Sequence, residues 1–429
     1  MRQQEGSAGS AEAHRTVEAV WRIESAKVVA VLARHVRDVG WAEELAQDAL
    51  VAALEQWPRD GVPANPAAWL TAVGKRRAID AVRRRQTLDR KLVELGRDLA
   101  EGFTPDFDAN LDQPIQDDLL RLVFTACHPV LPAPARAALT LRMLGGLTTT
   151  EIARAFLVPE STIAQRIVRA KRSLADASVP YETPAPAERA ERLPSVLEVI
   201  YLIFNEGYSA TAGDDWMRPA LCADALRLAR ILCGLMPEQA EVFGLTALLE
   251  IQTSRNAARV GPDGGPVLLF EQDRTRWNRL FIRRGLAALD RARTLGDAGP
   301  YTLQAEIAAC HARAAAPADT DWPRIADLYA RLATLVPSPV VELNRAVAVS
   351  FAAGPAAGLE LARSLVDEPA LADYHLLPAV LGDLLAKLGR YAEARVEFDR
   401  AAELTGNERE RALLRERAAA CAAGTAPTR

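Results

Sequence analysis

Residues 146–174 read GLTTTEIARAFLVPESTIAQRIVRAKRSL, and the side chains able to act on another molecule collect on one side of the second half. Ser161, Gln165, Arg169 and Arg172 recur at i, i+4, i+8 and i+11, with Thr162, Arg166 and Lys171 flanking them. Ile163, Ile167, Ala170 and Leu174 take the opposite arc at the spacing of a buried face. Glutamine pairs with adenine edges, arginine with guanine, and serine, threonine and lysine with base edges or phosphates, so the polar face suits the major groove of DNA. Just upstream, Thr148 and Glu151 have the spacing of a capping box, which opens a shorter helix with Ile152, Ala153, Phe156 and Leu157 turned inward. Val158-Pro159 stops that helix, because proline disfavours the helical conformation in the residue before it. Two short helices, a tight turn and a basic second helix have the form of a helix-turn-helix. An ordinary amphipathic surface helix has the same pattern, so the surrounding elements must decide between the two.

Two upstream helices bear on that choice. Asn65-Pro66 supplies a cap and a first-turn proline for a helix through Arg85. Its wheel places Leu70, Ala72, Ala78, Ile79, Ala81 and Val82 on one arc. Trp69, Val73, Arg76, Arg77, Asp80, Arg83 and Arg84 occupy the other. An indole beside guanidinium groups suits unstacked bases and a phosphate backbone. An Arg76–Asp80–Arg84 ladder of i, i+4 pairs is the plainer reading of the same face. The preceding helix, residues 38–58, buries Leu45, Ala46, Ala49, Leu50, Ala53, Leu54 and Trp57. Its outer arc of Glu44, Gln47, Asp48, Val51 and Glu55 is acidic, which alone carries no functional meaning.

The order of these elements carries more than any one of them. An acidic helix, an aromatic and basic helix, a linker and a helix-turn-helix together resemble the bacterial extracytoplasmic-function sigma factors of RNA polymerase. AEELAQDALVAALEQW resembles region 2.2 of that family, WLTAVGKRRAIDAVRR regions 2.3 and 2.4, and LTTTEIARAFLVPESTIAQRIVRAKRSL region 4.2. The resemblance spans residues 15–176 and implies a role for each face. Glu44, Gln47, Asp48 and Glu55 would bind the clamp helices of the largest polymerase subunit, and region 4 the flap of the second-largest. Trp69, Lys75, Arg76, Arg77, Asp80, Arg83 and Arg84 would recognise and help melt the minus-10 element. Ser161, Thr162, Gln165, Arg166, Arg169, Lys171 and Arg172 would read the minus-35 element. Arg76 stands where relatives often carry asparagine, so base preference at minus 10 does not transfer.

The expected class is all-α, in eight segments. A disordered N-terminus covers 1–14, sigma region 2 covers 15–86, an acidic linker 87–116, and region 4 covers 117–178. A Pro- and charge-rich linker spans 179–194, a helical extension 195–300, repeats 301–420, and a disordered tail 421–429. The repeats rest on Leu381, Gly382, Leu385, Gly389, Tyr391, Ala394, Phe398 and Ala401, which match the tetratricopeptide pattern. Trp322, Ile325, Tyr329, Leu332 and Pro337 match part of an earlier copy, and Gly354 with Leu359 a degenerate middle one. Their implied starts near 306, 340 and 375 agree with the ~34-residue period. Such a solenoid presents a surface for a protein or peptide. Asn205-Glu206-Gly207 reads as a helix ending at a glycine, and GPDGG at 261–265 as a loop without the lysine of a phosphate cradle.

Composition limits the alternatives. Across 429 residues the formal net charge is −4, so DNA affinity must come from local basic patches. Cys127, Cys222, Cys233, Cys310 and Cys421 form no CxxC pair, and Cys127-His128 reads as a helix-end core position. No metal or cofactor is expected. GxSxG, HExxH, Walker and dinucleotide motifs are absent, which argues against an enzyme in the C-terminal half. Without a signal peptide or membrane-length apolar run, a cytoplasmic protein with no membrane partner is expected. The expected partners are core polymerase, promoter DNA and a ligand of the repeats. A conventional helix-turn-helix regulator is the competing reading, and tight DNA binding without polymerase distinguishes it.

Overall fold

The computed structural model describes residues 2–93, 115–156, 158–209, 217–261 and 265–425. Regular structure among them is helical apart from isolated bridge residues, of which Val260 and Pro266 pair antiparallel. The chain divides into two compact units, 1–200 and 201–429.

The first unit contains α1 (Arg2–Val36), α2 (Val39–Asp60), α3 (Pro66–Val93), α4 (Ile115–Ala126), α5 (Ala133–Met143), α6 (Thr149–Ala155) and α7 (Glu160–Asp176). Helix α8 (Pro186–Tyr208) carries the boundary between the units. Local chemistry sets the starts of the functional helices. Asp38 caps α2 by accepting from the Trp41 N–H at 2.9 Å, and Asn65 caps α3 by accepting from Ala68 at 3.1 Å. Leu32, Ala33, Leu45, Ala46, Ala49, Trp57, Leu70 and Ala78 are buried in this unit, each large apolar side chain contributing about 1.5–3 kcal/mol.

Three expectations are corrected here. The buried row of α3 is Leu70, Gly74 and Ala78, while Ala72 is exposed and Ile79 and Ala81 are half-buried. A Cβ on Gly74 would lie 2.7 Å from Leu32 Cδ1, so α3 packs against α1 through its glycine instead of the arc read from apolar residues. Helix α1 begins at Arg2, across the stretch expected to be disordered, which contains no proline. The ends of both expected linkers are also helical, 87–93 within α3 and 186–194 within α8; residues 94–114 lie outside the described residues.

The second unit continues with α9 (Pro219–Leu235), α10 (Ala240–Thr253), α11 (Arg279–Leu295), α12 (Pro300–Arg313) and α13 (Trp322–Leu335). It ends with α14 (Pro339–Ala353), α15 (Pro355–Arg363), α16 (Leu376–Lys387), α17 (Tyr391–Leu404) and α18 (Glu408–Ala422). From α12 onward each helix packs on the next in chain order. Pro300, Pro339 and Pro355 sit at helix starts, where the missing N–H costs nothing. Gly389, at φ +75°, ends α16 while the Arg390 N–H reaches the Leu385 carbonyl. A Cβ on Gly382 would lie 2.9 Å from the fully buried Phe398 ring, so that glycine permits the α16–α17 crossing. Helix α18 runs through the buried Cys421, into the stretch expected as a tail.

A ladder of cations and rings fixes the segment joining α10 to α11. Arg259 lies 3.4 Å over the Tyr208 ring, Arg255 stands near both Tyr208 and Trp277, and Arg274 is 4.8 Å from the Trp277 centroid. Arg274 also donates to the His311 and Ala314 carbonyls at 2.6 and 2.7 Å, satisfying the C-terminal end of α12. Burial, with Arg255 and Arg274 alongside, pushes the His311 imidazole down to about 3. The next ring pair, Trp322 and Phe351, stacks at 4.3 Å.

Candidate nucleic-acid and polymerase interface

The capping box of α6 forms as its residue types require. The Thr148 N–H donates to Glu151 Oε2 at 2.8 Å, and the Glu151 N–H donates to Thr148 Oγ1 at 3.1 Å. Ile152 and Ala153 are buried and Phe156 is half-buried; Leu157 lies outside the described residues. On α7, Ile163, Ile167, Ala170 and Leu174 are buried. Ser161, Gln165, Arg169 and Arg172 stand exposed on the other side, and Thr162 and Arg166 are half-buried at its margin. Six of the seven residues expected to face DNA thus share a surface.

Lys171 does not join them. Its Nζ lies 2.8 Å from Glu43 Oε2 on α2, and Arg142 of α5 donates its Nε–H to the other Glu43 oxygen at 2.8 Å. Glu43 has 7% of its side chain exposed, so a buried carboxylate holds two cations. Sequence periodicity missed Glu43, since a carboxylate beside Glu44 and among acidic residues reads as solvated. Val168 was also missed. It is 60% exposed beside Gln165 and Arg172, and an apolar side chain there can touch a thymine methyl.

The α2–α3 surface combines acid, base and aromatic groups. Glu44, Asp48 and Glu55 are exposed and Gln47 is half-buried, with the apolar Val51 exposed among them. Trp69 packs edge-on against the buried Trp57 at 5.4 Å, which fixes its indole at the start of α3. Arg76, Asp80 and Arg83 are exposed, and Lys75 is half-buried with its ammonium pKa lowered by burial and by Arg34. The expected Arg76–Asp80–Arg84 ladder does not form between its first two members. Instead Arg77 bridges to Asp48 on α2 at 3.2 Å, because the neighbouring helix brings that carboxylate closer; the Arg84 side chain lies outside the described residues.

Other motifs resolve as packing. Cys127 is buried with Sγ 3.3 Å from Thr140 Oγ1, and burial raises its thiol pKa to about 11. The adjacent His128 ring accepts the Val130 N–H, and burial lowers its pKa. Gly207 lies one residue before the end of α8, where a Cβ would lie 2.7 Å from the Cys222 nitrogen, and Glu206 pairs with Arg218. The helix does end beside this glycine, as its position suggests, and the missing Cβ also permits the close approach of the next helix. No group of metal-ligating side chains occurs among the described residues, and none of their helices is long and apolar enough to cross a membrane.

The first unit thus carries a capped helix-turn-helix preceded by an acidic and a basic-aromatic helix. Residues 22–87 match sigma-70 region 2 and residues 121–174 match sigma-70 region 4. The chain is 34% identical over 152 residues to the ECF RNA polymerase sigma factor SigK of Mycobacterium tuberculosis (strain ATCC 25618 / H37Rv), covering 34% of this chain and 78% of that protein. SigK of Mycobacterium ulcerans (strain Agy99) is 32% identical over 155 residues, with the same two coverages. The chain belongs to the ECF RNA polymerase sigma factors, which are transcription initiation factors and not enzymes. Residues 192–293 match a family of unknown function, DUF6596. An uncharacterised protein of Rhizobium meliloti (strain 1021) is 46% identical over 391 residues, 91% of this chain and 92% of that protein, so the similarity extends through both units.

Proposed function

We propose that this protein directs core RNA polymerase to a specific promoter through three separate faces, with the C-terminal unit acting as an in-cis regulator or partner-binding module. Glu44, Gln47, Asp48 and Glu55 contact the clamp helices of the largest subunit, and region 4 engages the flap of the second-largest. Trp69, Lys75, Arg76, Arg77, Asp80, Arg83 and Arg84 act at minus 10, with the Trp69 ring stacking on an unpaired base. Ser161, Thr162, Gln165, Arg166, Arg169 and Arg172 read minus 35, where Lys171 reaches the phosphate backbone.

The observation that carries this reading is the division of α7, one face buried and the opposite face offering hydroxyl, amide and guanidinium groups to solvent. Three helical pairs support the repeat assignment: α12–α13, α14–α15 and α16–α17 begin at residues 300, 339 and 376. These starts are 39 and 37 residues apart, a few residues longer than the ~34-residue tetratricopeptide period, while Gly382 and Phe398 meet at a crossing as that pattern requires.

Run-off transcription with purified core polymerase and the full chain tests the proposal on a library of promoter fragments. Discrete transcripts dependent on the added chain are expected. Tight specific DNA binding without polymerase, and no transcript from any fragment, would favour the conventional regulator instead.

A further inference from the structure

Positive charge in the second unit is gathered into one stretch. The unit holds 26 lysines and arginines against 29 aspartates and glutamates, yet residues 274–293 carry seven arginines and a single carboxylate, Asp290. Three of the seven are engaged. Arg274 is buried on the carbonyls that end α12, Arg291 reaches Glu238 at 4.0 Å, and Arg293 bridges to Asp290 at 3.3 Å and Glu306 at 3.2 Å. Arg276, Arg279, Arg283 and Arg284 are exposed and make no ion pair among the described residues.

The packing of α11 turns three of these four outward together. Ile282, Gly285, Leu289 and Ala292 form its buried row, and a Cβ on Gly285 would lie 2.5 Å from Ile251 Cγ1, so this row presses on α10. At 100° per residue, Arg279, Leu280, Arg283, Arg284 and Ala287 fall on the opposite side. The buried carboxylate of Glu250 on α10 is already held by Arg230 at 2.7 Å. Leu280, 45% exposed, is the large apolar side chain on this face, too little to anchor a protein partner, whose interface cores are apolar and depleted of charge. A phosphate backbone fits better. Arg279 and Arg284 are ~7.5 Å apart along the helix, and successive phosphates of one strand advance ~3.4 Å along a duplex, so the three guanidiniums can meet two or three consecutive phosphates. The planar guanidinium also matches phosphate oxygens in pairs.

We infer that the N-terminal half of α11 is a further DNA contact, binding the phosphate backbone of a duplex through Arg279, Arg283 and Arg284. Contacts of this kind position a protein on DNA without reading its sequence. In a chain of net charge −4, the patch gives the second unit its own local attraction to DNA. The contact lies outside the three faces proposed above and requires neither polymerase nor a promoter.

Fluorescence anisotropy of the full chain with a labelled duplex of arbitrary sequence, at salt concentrations from about 50 to about 200 mM, tests the contact. Each phosphate contact contributes ~0.9 to the slope of log K against log salt. The variant carrying Arg279→Ala, Arg283→Ala and Arg284→Ala should therefore lose about 2–3 of that slope, and its affinity at low salt should fall about tenfold or more. Lysine at the same three positions should keep most of the slope, because each phosphate still meets a cation. A control removing equal charge elsewhere on the unit, Arg331→Ala with Arg400→Ala and Arg415→Ala, should leave the slope nearly unchanged. An unchanged slope in the first variant overturns the contact, whatever acidic protein the patch might then serve. So does an equal fall in the control, or a lysine variant as weak as the alanine one. None of these results bears on the sigma reading, which run-off transcription decides separately.

Discussion

Arg169 and Arg172 stand in solvent on α7 and make no ion pair among the described residues, whereas Arg259 and Arg274 of the second unit are buried against rings and carbonyl oxygens. Both sets lie in arginine-rich stretches, and composition does not separate them. Periodicity separates the first set, because the apolar row Ile163, Ile167, Ala170 and Leu174 dictates which side of α7 faces out. The second set sits in a segment without a long helix, where burial depends on what folds over it. Arg169 and Arg172 are thus available to a ligand, while Arg259 and Arg274 take the place of missing backbone partners and fill space between aromatic rings.

The comparison predicts where substitutions act, beginning with the largest effect. Trp277→Ala removes the ring between Arg255 and Arg274 and should destabilise the second unit by about 3–5 kcal/mol in chemical denaturation. A small change would mean that the ladder is not structural. Acid should act on the same region. The folded His311 imidazole stays neutral to about pH 3, whereas an unfolded one protonates near 6.5, so the unfolded state binds more protons between those values. Stability should therefore fall as pH drops below about 6.5, by up to about 1.4 kcal/mol per pH unit, and His311→Gln should flatten the dependence. An unaltered pH profile in that variant would assign the acid sensitivity elsewhere.

Effects in the first unit should be smaller on stability and larger on selectivity. Thr148→Ala removes one side of the capping box and should cost about 0.5–2 kcal/mol in thermal unfolding, with Thr148→Ser restoring most of it. Arg77→Ala breaks only the half-exposed bridge to Asp48 and should change stability by less than about 1 kcal/mol. A larger loss would make that bridge part of the α2–α3 packing and remove Arg77 from the pool of DNA contacts.

Features that close within a few residues were readable from the chain alone. The Thr148–Glu151 box, the Asn65-Pro66 start and the buried row of α7 all follow from types and spacing inside one turn or one helix. Contacts between helices were not readable. Ala72 faces solvent because Gly74 meets Leu32, and Arg77 finds its carboxylate partner, Asp48, on the neighbouring helix. Glu43 and Lys171, 128 positions apart, had no local signal linking them. The candidate DNA face was therefore legible except where another element claims one of its members, as with Lys171, or leaves an apolar residue exposed, as with Val168.

Run-off transcription by the full chain with core polymerase, on one responsive promoter carrying every single-base change in its minus-35 element, tests the central claim most directly. The wild-type chain should favour one base at particular positions. Gln165→Ala and Arg169→Ala should each relax the preference at a different position by about 1–3 kcal/mol while leaving minus-10 preferences intact. Identical base preferences in wild type and both variants would contradict direct reading of the promoter by α7.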